Sequence, residues 1–152
     1  RDVFDVSLRG MTDDWGIGSQ TLDTTYRWNF SSTKYLEPHL RYYRQSEAEF
    51  YRSALMDTNT NPGTGPANVS PEAVSFASAD PRLGKFDAIT VGLKYGHTLS
   101  SGNSWSTRLE AYMQAGKVAG LPVDATTAAA LSQFDLKPEL SALMLTFGYH
   151  FR

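Results

Sequence analysis

Residues 139–152 read ELSALMLTFGYHFR, and this stretch decides how the rest of the chain is interpreted. Because successive side chains of a β-strand point to opposite sides of a sheet, a strand here would have two unlike faces. The large apolar face carries Leu143, Leu145, Phe147, Tyr149 and Phe151, and it becomes aromatic toward the chain end. The pattern is typical of a strand in a soluble sheet or of the closing strand of an outer-membrane barrel.

Alternation of the same period predicts five further strands, so the chain is predicted to be all-β with about six antiparallel, up-and-down strands. Their ranges are 3–12, 19–30, 35–45, 88–99 and 104–114. Pro38 cannot donate a ladder hydrogen bond, which predicts a bulge or local irregularity in the third strand. After that strand, Ser46 and Glu49 fit a capping box, so a helix to about Met56 remains an alternative to a continuing strand.

The predicted connections sort by length. The turns at 31–34 and 100–103 are short, whereas loops of about 47–86 and 117–137 are long and lack a sustained period. In an up-and-down sheet these two short turns lie at the same end of the strands as the C-terminus, and the long loops lie at the opposite end. Outer-membrane barrels have this arrangement, with short periplasmic turns and long extracellular loops. The sorting favours a transmembrane β-barrel over a β-sandwich, with both long loops extracellular.

The two faces of the predicted strands also differ in composition. Aromatic rings of the apolar face gather at the short-turn end, as expected at the headgroup depth of a membrane. The predicted membrane-interface aromatics are Tyr26, Trp28, Phe30, Tyr95, Trp105, Tyr149 and Phe151. The other face carries charges that a dry core would bury only at great cost. The predicted lumen-facing charged residues are Asp5, Arg9, Asp23, Arg27, Glu37, His39, Arg41, Lys94, Arg108 and Glu110. The alternative is that this face is the solvated side of a soluble sheet.

A tight turn at 31–34 also predicts which charged residues are neighbours. It brings Arg27 near Glu37 and Asp23 near Arg41, whereas the second hairpin brings Lys94 near either Glu110 or Arg108. These pairs predict a salt network along the lumen.

Composition excludes several classes of protein. The 152 residues carry a net charge of -2, so no basic surface indicates nucleic-acid binding. The absence of cysteine excludes a disulfide framework and a thiol nucleophile. No run of eighteen apolar residues is present, which excludes a transmembrane helix but not transmembrane strands. The chain is therefore treated as a single unit over residues 1–152.

Candidate catalytic and metal-binding groups are poorly placed. His97 has the outward parity, whereas its hairpin neighbours Ser104 and Ser106 have the inward parity, so no catalytic residue is predicted and the protein is not expected to be an enzyme. The sequence DTNTNPG at 57–63 is similar to the start of a calcium loop, but Gly63 comes one position late and Asn68 replaces the bidentate Glu. No metal site and no cofactor are predicted.

Two internal runs and the last strand resemble the C-terminal part of a family of Gram-negative outer-membrane barrel proteins, known only as a domain of unknown function. The runs are YLEPHLRYYRQSEAEFYR at 35–52 and SADPRLGKFDAITVGLKY at 78–95, and the resemblance covers most of residues 20–152. It implies a bacterial outer-membrane location, contact with outer-membrane lipid and no particular activity. The last strand also resembles the signal read by the barrel-assembly machinery, although Arg152 follows the aromatic Phe151.

The smallest single-chain outer-membrane barrels have eight strands, and only six are predicted here. We therefore expect the chain to be the C-terminal segment of a larger barrel, completed by the remaining strands of the parent protein. The alternative is that several copies contribute strands to one barrel.

Three functions are compatible with these observations. The first is a porin-like channel for small polar solutes, with weak ion selectivity because both signs of charge line the lumen. The second is a structural or scaffold barrel whose lumen is closed by its own loops or by a partner protein. The third is a soluble β-sandwich binding module, which would fold without detergent.

Overall fold

The computed structural model describes residues 1–52, 77–117 and 139–152, together with the single positions 129, 133 and 137. These residues form one antiparallel sheet in the order β1-β2-β3-β4-β5-β6, so every strand pairs with its neighbour along the chain. The strands are β1 Val3–Thr12, β2 Gly18–Arg27, β3 Lys34–Gln45, β4 Lys85–Thr98, β5 Ser104–Lys117 and β6 Leu140–His150. Within the described part of the chain the sheet is open, with β1 and β6 at its edges.

The six predicted strands are confirmed, and their bounds differ from the prediction by three residues at three ends and by one or two residues at others. β2 stops at Arg27, and beyond it only Trp28 forms a bridge, to Leu36. β4 begins at Lys85 rather than at residue 88. Phe86 lies on the same face of the sheet as Tyr43 and packs on the Tyr43 ring, with 5.6 Å between the ring centroids. β5 extends to Lys117, opposite Lys85.

The predicted bulge at Pro38 is wrong, although the strand is irregular there. Pro38 pairs with Leu93 without any slip in register, and the β2–β3 register is the same on both sides of the proline. The β2–β3 ladder is instead interrupted, stopping at Thr25 opposite His39 and resuming at Trp28 opposite Leu36. The N–H of Leu36 donates to Trp28, so the N–H that Pro38 lacks would point to β2 as well.

The short and long connections lie at opposite ends of the strands, as the sequence predicts. Residues 28–33 and 99–103 join strands at one end of the sheet, whereas residues 13–17, 46–84 and 118–139 join them at the other end. In the short turn at 99–103, Gly102 has a φ of 88°, a conformation that favours glycine, and the Leu99 amide donates to the carbonyl of Asn103. In the 13–17 turn at the opposite end, the Asp13 carboxylate accepts hydrogen bonds from the amides of Trp15 and Ile17.

The helix that remained an alternative after Ser46 is wrong over residues 46–52, and its remainder lies outside the described residues. Ser46 does not cap a helix, since its hydroxyl oxygen accepts a hydrogen bond from the Gly18 amide at 2.8 Å. Residues 46–52 instead pack on the 13–17 turn and on a 3-10 helix over Pro81–Leu83. A small core of Ile17, Ala48 and Tyr51, flanked by Phe50 and Leu83, fills this end of the sheet.

No helix in the described residues is long and apolar enough to cross a membrane.

Candidate functional site

The sheet has two unlike faces, and on its central strand the aliphatic side chains are more exposed than the residues that alternate with them. On the central strand β4, the side chains of Ile89, Val91 and Leu93 are 37–49% exposed, although strands flank them on both sides. The intervening Ala88 and Thr90 are buried. We call the side with Ile89 the apolar face and the side with Thr90 the charged face. The register extends each face across all six strands.

Glu37 lies at the centre of the charged face and is bound by arginines from two other strands. Its carboxylate accepts hydrogen bonds from Arg27 of β2 at 2.8 Å and from Arg108 of β5 at 3.4 Å. The Glu37 side chain is 9% exposed, whereas those of the two arginines are 43% and 33% exposed. The buried carboxylate is therefore neutralised from both sides, and the guanidinium groups lie nearer to solvent.

His39 joins a second group of charges to the first. Its Nδ1 lies 2.8 Å from Oε1 of Glu110, and its Nε2 lies 3.3 Å from Oδ1 of Asp23. Arg108 also contacts Glu110 at 3.6 Å, and Arg41 lies 4.0 Å from Asp23. A continuous network therefore crosses β2, β3 and β5.

Two glycines on β4 make this network possible. Strands separated by one intervening strand lie about 9.6 Å apart, so side chains of β3 and β5 meet only by leaning over β4. Gly92 lies beneath the His39–Glu110 contact, and a Cβ there would come within 2.8 Å of the Glu110 Cγ. Gly96 lies beneath the Tyr35 ring. Arg27 stacks on that ring at 4.3 Å from its centroid.

A cavity of about 760 Å³ on the charged face is lined in part by five residues of the network: Asp23, His39, Arg41, Arg108 and Glu110. Tyr43 and Tyr112 border it toward the long-loop edge, and their hydroxyls donate to the side-chain oxygens of Gln45 and Gln114. The sequence shows the parity of these tyrosines but not their contacts, and the packing of Tyr35 on Gly96 was missed altogether. A tyrosine opposite a glycine on the neighbouring strand was the available signal.

The charged residues predicted for one face therefore share it, but they are not all in contact. Asp23, Arg27, Glu37, His39, Arg41, Arg108 and Glu110 form the network. Lys94 pairs in register with Arg108, which decides between the two predicted neighbours, and its amine lies 5.7 Å from the Tyr35 ring centroid. Asp5 and Arg9 lie on edge strand β1, exposed and in register with Thr25 and Thr21.

The predicted aromatics are brought together at the short-turn end of the apolar face. Trp28, Phe30, Tyr95 and Trp105 follow one another with ring centroids 5.4–6.4 Å apart. Tyr149, in register with Trp105, contacts Phe151 at 4.6 Å, and Tyr26 contacts Phe4 at 6.4 Å. Phe147 also packs on Trp105, at 6.3 Å.

Other candidate groups remain apart. His97 pairs with Trp105, whereas Ser104 and Ser106 pair with Thr98 and Gly96 on the charged face. His150 lies on the charged face at the short-turn end, in register with Ser104. The calcium-loop similarity at 57–68 falls outside the described residues. In the part of the chain that is described, no group of three or more His, Asp or Glu side chains has an arrangement that could hold a metal ion.

One pKa outside the strands is strongly shifted. Asp80 precedes the 3-10 helix, and its carboxylate accepts hydrogen bonds from the Arg82 side chain at 2.6–3.0 Å and from the Arg82 amide at 2.9 Å. The Arg82 side chain, and then its amide, lower the pKa of Asp80 to about 2. The carbonyl of Arg82 accepts from the Gln45 side chain, which joins this turn to β3.

Comparison with known proteins gives a family but no described activity. No curated protein matches the chain, and no solved structure matches it. One family model matches over residues 1–151, and its description is a protein of unknown function. The predicted membership of a domain family of unknown function is thereby confirmed, and the chain belongs to the family DUF3570.

Proposed function

We propose that this chain is a segment of an outer-membrane β-barrel, with its apolar face toward lipid and its charged face toward a water-filled lumen. The observation that carries the proposal is the exposure pattern of β4. Its aliphatic side chains are exposed, and the residues between them are buried against charges. In water this arrangement would expose a continuous apolar surface, which soluble monomers rarely do. In a bilayer the same surface meets hydrocarbon.

Because the sheet is open, this proposal requires further strands. Unpaired strand edges are not tolerated in lipid, because backbone N–H and C=O groups there have no water to bind. β1 and β6 would therefore pair with further strands of the parent protein, or with strands of other copies, to close the barrel. The short turns and the aromatic belt would lie at the periplasmic side, and the long connections at the extracellular side.

The activity that the charged face supports best is passive, porin-like passage of small polar solutes. The buried carboxylate of Glu37 holds Arg27 and Arg108, whose side chains are 43% and 33% exposed. Arg41 is likewise 44% exposed. Because acids and bases are nearly balanced, we expect weak ion selectivity with a modest preference for anions.

Planar-bilayer conductance of the full-length parent protein tests this function. Discrete, long-lived current steps are expected if the lumen is open. A protein that folds in buffer without detergent and does not insert into bilayers would contradict the barrel, and would favour a soluble binding module.

A scaffold barrel with a closed lumen is the second candidate. The observation that favours it is the mutual pairing of the charges, since side chains that bridge three strands fill part of the space above the sheet. This candidate predicts heat-modifiable gel migration, typical of a folded barrel, together with the absence of conductance.

A further inference from the structure

A groove of about 480 Å³ lies on the apolar face at the long-loop end of the sheet. Its lining includes Gly10, Thr12, Gly18, Gln20, Arg44 and Lys85 on the parity of the apolar face, together with Ser46 and with three residues of the opposite parity, Met11, Ser19 and Gln45. A Cβ at Gly10 would meet no atom within 4 Å, so the missing side chain leaves the groove open on β1.

The groove lies directly beyond the last apolar row. Leu8, Leu22, Tyr42, Ile89 and Met113 form that row in register across five strands. Gly10, Gln20 and Arg44 stand two residues further along their strands, and Thr12, Gly18 and Lys85 stand two residues beyond those. At about 3.4 Å per residue, the polar rows lie roughly 7 and 14 Å past the apolar row. This is the depth at which headgroups follow hydrocarbon in a bilayer.

Two cations, Arg44 and Lys85, line the groove, and a third, Lys117, is in register with Lys85 on the next strand. Arg44 is 56% exposed and lies 3.8 Å from Asp87, whose carboxylate also accepts a hydrogen bond from the Tyr42 hydroxyl at 2.6 Å. Lys85 and Lys117 have no carboxylate within ion-pair distance among the residues that the structure describes. Asp87 therefore faces an excess of positive charge.

Lys85 and Lys117 are, in addition, directly opposite each other on paired strands. Like charges at opposed positions destabilise a sheet, and Coulomb repulsion between them is relieved when an anion lies between or above them. The groove thus combines an open shape, an excess of cations and a repulsive pair that an anion would relieve.

We propose that this groove binds the phosphate-bearing headgroup of a membrane lipid, whose acyl chains lie along the apolar rows below it. The inference rests on the proposed membrane location. Arg44 and Lys85 would bind phosphate oxygens, and Lys117 would add to the field. A lipid is favoured over free phosphate because the apolar row that contains Ile89 and Met113 precedes the polar rows of the groove along the same strands. Acyl chains would contribute binding energy there that an isolated anion lacks.

The test uses the full-length parent protein, inserted first into phosphatidylcholine vesicles and checked for heat-modifiable migration. Phosphatidylglycerol enrichment around the protein is then measured by native mass spectrometry of mixed-lipid nanodiscs. The wild type is expected to retain phosphatidylglycerol roughly tenfold more strongly than the triple variant Arg44→Gln, Lys85→Gln, Lys117→Gln. A control removes the same number of cations at the opposite end: Arg1→Gln, Lys34→Gln, Arg152→Gln.

The outcomes separate this inference from the proposed function. Insertion into phosphatidylcholine with equal lipid retention by the wild type and the groove variant would overturn the lipid site and leave the barrel standing. Failure to insert into either vesicle would overturn both. Competition by inorganic phosphate as strong as that by short-chain phosphatidylglycerol would identify a free-anion site and overturn the lipid assignment. Equal losses of phosphatidylglycerol retention in both triple variants would show that general surface charge causes the retention, and would overturn the lipid site.

Discussion

At the scale of single residues, the charged face depends on positions that have no side chain. Gly96 lies beneath the Tyr35 ring, whereas a Cβ at Gly148, also on the charged face, would stand 3.4 Å from the Ser106 hydroxyl oxygen. The two glycines therefore differ in what an added methyl group would meet.

We expect Gly96→Ala to lower the free energy of unfolding by about 1–3 kcal/mol, because the added methyl group displaces the Tyr35 ring. Gly148→Ala is the matched control and should cost nothing, since alanine loses less chain entropy than glycine on folding. Urea titration of the refolded parent protein in micelles measures both values. If Tyr35→Ala fails to reduce the cost of Gly96→Ala in the double variant, the proposed ring contact is not the cause.

A second residue-scale prediction concerns the low pKa of Asp80. Because folding lowers this pKa to about 2, the contact with Arg82 stabilises the turn fully at pH values above the ordinary range of an aspartate. That contribution is lost as the pH falls through about 2. We expect Arg82→Gln to raise the pKa of Asp80 only part of the way, since the amide of residue 82 still donates to the carboxylate.

Carbon-detected NMR titration of the Asp80 carboxyl in the wild type and in Arg82→Gln measures this shift. The variant Arg52→Gln is a control, because the Arg52 side chain donates to the carbonyls of Glu49 and Tyr51 instead. Equal titration midpoints in the wild type and Arg82→Gln would show that the side-chain ion pair does not set the pKa.

At the scale of elements, β3 pairs fully with β4 and incompletely with β2. The missing N–H of Pro38 accounts for the gap, and the unchanged register shows that the strand itself is not displaced. This edge of β3 thus lacks a donor that any other residue would supply.

Pro38→Val is expected to add a ladder hydrogen bond to β2 and to raise the free energy of unfolding by about 0.5–1.5 kcal/mol. Valine retains an apolar side chain on the apolar face and favours a strand. Leu36→Val, on the same strand and face, is the control for side-chain shape without a new donor. Urea titration compares the three proteins, and a lower midpoint for Pro38→Val than for the wild type would refute the account of the gap.

At the scale of the whole molecule, the proposed function depends on whether the apolar face contacts lipid or water. Val91 lies in the middle of that face and is 49% exposed, so Val91→Arg distinguishes lipid from water. In a bilayer the substitution should cost about 2–4 kcal/mol, whereas at a water-exposed site it should stay within about 0.5 kcal/mol. Gln20→Arg, beyond the apolar rows on the same side, is the control. Unfolding titrations in lipid vesicles measure both, and equal small costs would exclude lipid contact at Val91.

The exposed guanidinium groups lead to a further prediction for the assembled barrel. Arg27→Gln combined with Arg41→Gln should shift the anion-to-cation permeability ratio roughly twofold toward cations, because two fixed positive charges leave the lumen. Lys34→Gln, whose parity places it on the apolar face, should leave the ratio unchanged. Reversal potentials in a salt gradient measure the ratio, and strong selectivity in the wild type would contradict the near-balanced charges.

The sequence by itself determined the six strands, their antiparallel order, the two faces and the sorting of short and long connections. These features follow from a two-residue period and from turn residues, which are local properties of the chain. It also predicted the Arg27–Glu37 contact, because a short turn joins β2 to β3. Tertiary structure alone decided the contact between His39 and Glu110, which are 71 positions apart and meet across a third strand. That contact requires the space above Gly92, and the alternation of residues along any single strand does not report on such space.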